Sequence, residues 1–163
     1  MPTTPQWAHP GTAWTGLAHS PWVKCAALGL ATGARASAAL SALTWSAGRR
    51  DPSWLGHPAV KALASAASAG ESVGDQLPST PSRLAPSGLV PRLVLGAGGG
   101  ALLARRHRGS PWTGAAVGLA AAGAGAVAGK RLRALAAANL GSDHPGAVVE
   151  DAIVVGLSAY AGR

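Results

Sequence analysis

The stretch GSPWTGAAVGLAAAGAGAVAG, residues 109–129, runs for 21 positions without a charged side chain. Its only hydroxyls, Ser110 and Thr113, fall in what would be the first helical turn. A helix on the surface of a soluble bundle needs a polar face, and this one has none to offer. Its length matches the roughly 20 apolar residues that cross a bilayer. The segment has to be buried all round, in lipid or in protein, and it predicts an all-α fold.

Composition narrows the class. Of 163 residues, 38 are Ala and 23 are Gly, Phe is absent, and Leu, Val and Ile together number 31. So few large apolar side chains lie near the level at which chains stop folding as ordinary soluble globules, which argues against a conventional soluble enzyme. Only 20 residues are charged and 48% are hydrophobic, so the chain is no polar disordered segment either. What remains is a single domain of helices that approach closely through small residues. One cysteine, Cys25, supports neither an internal disulfide nor a Cys-based zinc site.

The net charge is +8, from 14 Lys and Arg against 6 acids. Basicity of this kind raises nucleic acid or anionic membrane as partners. The basic residues sit in short clusters between apolar stretches, at Arg49 and Arg50, Arg105 to Arg108 and Lys130 to Arg133. That is the pattern of loops in a multi-pass membrane protein. No basic helix face, finger or stacking-aromatic motif accompanies the charge, so the expected partner is the lipid bilayer and not nucleic acid.

Outward from the central stretch, residues 1–21 hold four Pro and no Lys or Arg. They lack the basic start of a signal peptide and read as a disordered arm. Residues 22–163 read as a membrane helical domain with helices at about 22–48, 54–77, 86–104, 110–138 and 145–162. Trp22 and Trp45 lie 23 residues apart, or roughly 34 Å along a helix, close to a hydrocarbon thickness. Trp54 and Trp112 open segments of their own, in keeping with an aromatic belt. Basic residues divide six against six between the two sides of five spans, which sets no orientation. GHPAV at 56–60 and DHPGAVV at 143–149 each open an acid-bearing segment. If segments one and two recur as four and five, the bundle contains an inverted repeat.

Glycine spacing predicts how the helices pack. Gly29 and Gly33, Gly96 and Gly100, Gly114 and Gly118, and Gly125 and Gly129 form GxxxG pairs, as do Gly70 and Gly74. In lipid, small residues at this spacing let backbones approach and gain dispersion contact. Association of copies into a homo-oligomer through the third or fourth segment is expected from the same surfaces.

Chemistry is sparse. The linker 78–91, with Pro78, Pro81, Ser82 and Arg83 and with Arg92 beside it, reads either as a stiff loop or as an irregular element lining a cavity. Lys61, Ser65, Ser68, Ser72 and Asp75 mark one stripe of the second segment, with Glu71 alongside. That stripe reads as an amphipathic helix partly outside lipid or as a proton or ion pathway. Arg35 falls 13 residues after Trp22, at a depth where a lone charge costs several kcal/mol, so it needs a partner among Glu71, Asp75, Glu150 and Asp151. GAGGGA at 96–101 has no preceding strand, GAGAVAGKR at 123–131 has the wrong spacing for a phosphate loop, and the five His are scattered. No metal, cofactor or catalytic trio is expected, and the chain does not read as an enzyme.

The stretch GESVGDQLPSTPSRLAPSGLVPRLVLGAGGGALL at 70–103, with GLATGARAS before it and GAVAGKRLR and VVEDAIVVGLSA after it, resembles a family of bacterial integral membrane proteins. That family is known as domain of unknown function four-one-two-six. The resemblance covers about residues 28–160 and implies several helices in the cytoplasmic membrane, with no reaction attached. The family-like positions are Arg35, Glu71, Asp75, Pro78, Pro81, Arg83, Arg92, Arg131, Glu150 and Asp151. Three functional expectations stand together: a small transporter or channel subunit with a buried charged cluster, a non-transporting membrane scaffold, and a small lysis-type membrane protein.

Overall fold

Helices account for nearly all of the residues described in the computed structural model, 20–48, 53–74, 84–142 and 144–163, and no strand occurs among them. The helices are α1 Pro21–Ala34, α2 Ala38–Ser46, α3 Pro58–Gly74, α4 Pro86–Arg106, α5 Pro111–Leu140 and α6 His144–Gly162. A single 3-10 turn, Trp54–Gly56, precedes α3. The proposed arm before residue 20, Asp75, Pro78, Pro81, Ser82 and Arg83 lie outside the described residues.

The charge-free stretch becomes the axis of the bundle. Ser110 caps α5 by accepting the Thr113 N–H at 3.4 Å, and Pro111 takes the first helical position, where its missing donor costs nothing. The helix runs 30 residues, about 45 Å. It ends at Gly141, whose positive φ of 69° places it in the left-handed region, with its N–H bonded to Ala137 O.

Glycine and alanine set the approach of the neighbours. Gly114 and Gly118 of α5 meet Gly100 and Gly96 of α4 so closely that a Cβ at any of the four would collide with backbone or a methyl group. On the other side, Gly29 and Gly33 of α1 rest on the Gly118 and Ala122 carbonyls, and Gly125 rests on Leu30. Gly129 is buried on the same helix. These surfaces are spent inside one chain, so association of copies would have to use the outward faces of α4 and α5. Gly70 differs, with open space where a Cβ would stand. The largest fully buried side chains are only Leu28, Thr32, Thr44 and Cys25, so the interior is closed by backbone proximity.

The first predicted helix, 22–48, is two helices. Its break at residues 35–37 turns the chain back on itself. Cys25 donates to Gly100 O at 3.4 Å and Leu28 lies against Gly99, so α1 runs antiparallel to α4. Ala39 also abuts Gly99, and Arg106 donates to Leu43 O and Ser46 Oγ at 3.2 and 3.0 Å. α2 therefore returns alongside α1 as a helical hairpin. Trp22 and Trp45 stand at the same end of the bundle, together with Trp54 and Trp112, and do not bracket its thickness.

From that tryptophan end α3 departs, with Lys61 Nζ donating to Ala47 O at 2.8 Å and lying over the Trp45 ring. α4 returns, α5 departs and α6 returns, the last bringing Gly162 against Ala42 and Ser46. α3 and α6, which carry the paired His-Pro motifs, run in opposite directions. The segments before them differ: the first is broken and folded back, while α5 is one unbroken rod, so an inverted repeat is not expressed in matching elements. The linker also ends sooner than 91, because α4 begins at Pro86 and continues through Pro91. A proline so near the helix start removes one backbone bond without breaking the rod. Arg92 is thus a buried helical residue and not part of a loop.

Among the described residues two helices, α4 and α5, are long and apolar enough to cross a membrane, and a third of each spanning window is buried. Their outward surfaces carry Val90, Val94, Leu119, Val127 and Leu135, and α6 adds Val148, Ile153 and Val155.

Candidate functional site at the tip of the helical hairpin

Breaking a helix exposes backbone donors that need acceptors. At the hairpin tip Arg35 takes extended backbone geometry, with its N–H still bonded to Ala31 O at 2.8 Å, and α2 starts after Ser37. The N–H groups of Ala36 and Ser37 donate to the two carboxylate oxygens of Glu71, at 2.7 and 2.9 Å. Ser37 Oγ donates to the same carboxylate at 2.8 Å, and Arg92 Nη2 reaches it from α4 at 3.0 Å. Glu71 is thus an N-terminal cap supplied by another helix, with the dipole of α2 adding to the attraction. Arg92 also donates through Nη1 to Gly88 O at 2.8 Å.

A run of hydroxyls leads away from this carboxylate. Ser68 Oγ donates to Ser37 Oγ at 3.0 Å and lies 3.0 Å from Ser41 Oγ. With one proton per hydroxyl, the bonds can all run in one direction, from Ser41 through Ser68 and Ser37 to Glu71. Of the polar stripe on α3, Lys61 and Ser68 face α2, whereas Ser65 bonds back to Lys61 O at 3.0 Å on the exposed side. Thr44 likewise satisfies itself within α2, on Leu40 O at 2.8 Å.

Two further ion pairs tie α6 to the bundle. Arg35 donates through Nη2 to Asp151 Oδ1, and Arg133 donates through Nε to Glu150 Oε2 at 2.9 Å. The three carboxylates differ in exposure: the Glu71 side chain is 15% exposed, Glu150 5% and Asp151 47%. The sequence places Arg35, Glu71, Asp75, Glu150 and Asp151 in one cluster. The structure distributes the described members over three pairs, in one of which Arg35 meets Asp151. Glu150 and Asp151 are neighbours in sequence but stand about 100° apart around the helix, so one faces α5 and the other the hairpin tip.

Beside the Arg35–Asp151 pair, a cavity of about 560 Å³ opens between α2, α3 and α6. Ser41 and Ser68 line one side and Ser158 the other, with Trp45 and Arg163 toward the tryptophan end. Ser158 Oγ is buried without a hydrogen-bond partner. A second hollow of about 520 Å³, between α1, α5 and α6, is walled by Leu30, Leu132, Ile153 and Leu157, with Glu150 at its margin. Among the described residues no three His, Cys, Asp or Glu side chains converge as metal ligands would.

Arg133, Ser37, Ser41 and Ser158 are site residues that the sequence reading passed over. Arg133 was hidden in the basic run Lys130 to Arg133, which looks like a loop but lies inside α5. Ser37 sits in GARASAAL, where no proline or glycine pair announces a break. Comparison with known proteins adds no assignment: no family model, curated protein or solved structure matches this chain.

Proposed function

We propose that this chain is a multi-pass protein of the cell membrane and acts as a small transporter or channel subunit. The observation that carries this reading is the folded-back hairpin with an exposed ion pair at its tip, beside an open cavity. Irregular backbone at membrane depth is tolerated only where protein or a water-filled cavity surrounds it, and helix ends at such breaks are where transporters hold their cargo. The apolar outer surfaces of α4, α5 and α6 suit contact with lipid, and α3 to α6 would supply four crossings. The hydroxyl run from Ser41 to Glu71 supports coupling to protons, because it joins the cavity to a titratable group. The resemblance to domain of unknown function four-one-two-six points to the same membrane. The scaffold reading draws on a different observation: Glu71 and Glu150 both spend their charge on interhelical bonds, as structural glue does.

Membrane fractions washed with alkaline carbonate should retain the protein, and release into the supernatant would overturn the membrane assignment. Purified protein reconstituted into liposomes with an internal pH dye should then dissipate an imposed pH gradient faster than empty vesicles. Glu71→Gln, which keeps an acceptor oxygen for the hairpin tip, should slow that dissipation by about tenfold. Folded wild-type protein that carries neither protons nor the solutes considered below would leave the scaffold reading in place.

A further inference from the structure

We propose that the cavity at the hairpin tip binds a small zwitterion, a solute with a carboxylate and an ammonium group a few bonds apart. The inference rests on the transporter reading for its purpose, and on the Arg35–Asp151 pair for its chemistry. Among the described residues, three carboxylates take part in interhelical ion pairs and only Asp151 of them is half exposed, and both partners of its pair line the cavity.

Charge balance selects the ligand class. A lone anion at Arg35 would sit beside the like charge of Asp151, and a lone cation at Asp151 beside the like charge of Arg35, a repulsive penalty in either case. A zwitterion inserts into the pair without that penalty: its carboxylate accepts from Arg35 while its ammonium donates to Asp151, and the net charge of the site is unchanged.

Hydrogen bonding agrees with this orientation. An ammonium group has three donors and needs more than one acceptor. Ser158 lines the cavity on the same helix as Asp151, seven residues on and therefore on the same face, and its buried hydroxyl has no partner, so a turn about χ1 would supply a second acceptor. Within one helical turn of the pair the wall is Ala38 and Val154, which favours a compact solute there, and Trp45 and Arg163 lie at the far end. The volume of about 560 Å³ is in the range of small-molecule sites.

The test is isothermal titration calorimetry on the full chain in lipid nanodiscs. The probes are glycine, alanine and beta-alanine, with acetate and methylammonium as matched single-charge controls. At least one zwitterion should bind saturably, about tenfold or more tightly than either control. Asp151→Asn should weaken that binding by about tenfold or more, and Ser158→Ala by a few-fold, each in protein that elutes as one species with wild-type helicity. A control that binds as tightly as the zwitterions would overturn the proposal, as would unchanged affinity in Asp151→Asn or folded wild-type protein that binds none of the three. Binding without flux in liposomes would sink the transporter reading and leave the site standing; proton flux without binding would do the reverse.

Discussion

At the scale of single residues, the same amino acid does opposite work at different positions. Gly100 faces Gly114 across a helix contact with no space for a methyl group, whereas Gly70 faces open space. Gly100→Ala should destabilise the protein by about 1–3 kcal/mol through overpacking. Gly70→Ala should stabilise it by about 0.5–1 kcal/mol, because helix-interior glycine carries an entropic penalty. Thermal unfolding in detergent checks both, and equal effects of the two changes would refute a packing role specific to Gly100. Spacing made the tight glycines legible, since those on α4 and α5 repeat at four-residue intervals in segments with no polar face. It also flagged Gly70 and Gly74, where the pattern is the same but no helix lies against Gly70. Sequence reports the interval between glycines and is silent on which face receives a neighbour.

At the scale of elements, the hairpin of α1 and α2 depends on a carboxylate that neither helix contains. Removing it with Glu71→Ala would leave two backbone donors and the Arg92 guanidinium without their acceptor, a loss of about 3–5 kcal/mol by analogy with other broken buried pairs. A cysteine placed at Ala36 in a Cys25→Ala background should resist thiol reagents in the parent and react readily once Glu71 is alanine. Equal reactivity in both would mean the tip is not held by Glu71. This dependence explains why the break was illegible: ARASAAL, residues 34–40, is mostly alanine with other good helix formers, and its interruption is imposed by an acceptor on another element. α5 was legible for the opposite reason, since its capping serine, first-turn proline and absence of charge are all local. A smaller effect belongs to the end of α4. His107 is largely exposed, and partial desolvation, with Lys24 and Arg106 nearby, lowers its pKa below the ordinary imidazole value. Its contribution to stability is complete above about pH 6.5 and is lost as the pH falls through the lower folded value. Melting temperatures should therefore decline on acidification from neutrality, and His107→Gln should flatten part of that decline.

At the scale of the whole molecule, the hairpin changes the count of crossings. Five predicted spans would put the two ends of the first segment on opposite faces of a membrane; the observed path returns them to one end of the bundle. Cysteines at Ser20 and Gly48 should thus be labelled from the same side of sealed vesicles by an impermeant reagent, and one at Asn139 from the other, again with Cys25 replaced by alanine. Labelling of positions 20 and 48 from opposite sides would refute the hairpin. The path also has a consequence for how the protein is made. Arg35 and Asp151 are 116 residues apart, and a chain emerging from the ribosome holds the arginine long before the aspartate exists. Glu71, which fastens the tip, comes 35 residues after Ala36, also later than the hairpin itself. The hairpin helices must wait for α6, so the hairpin should settle only after α6 has been inserted. A chain truncated before His144 should leave residues 20–48 open to added protease, while the same residues in the full-length protein are protected.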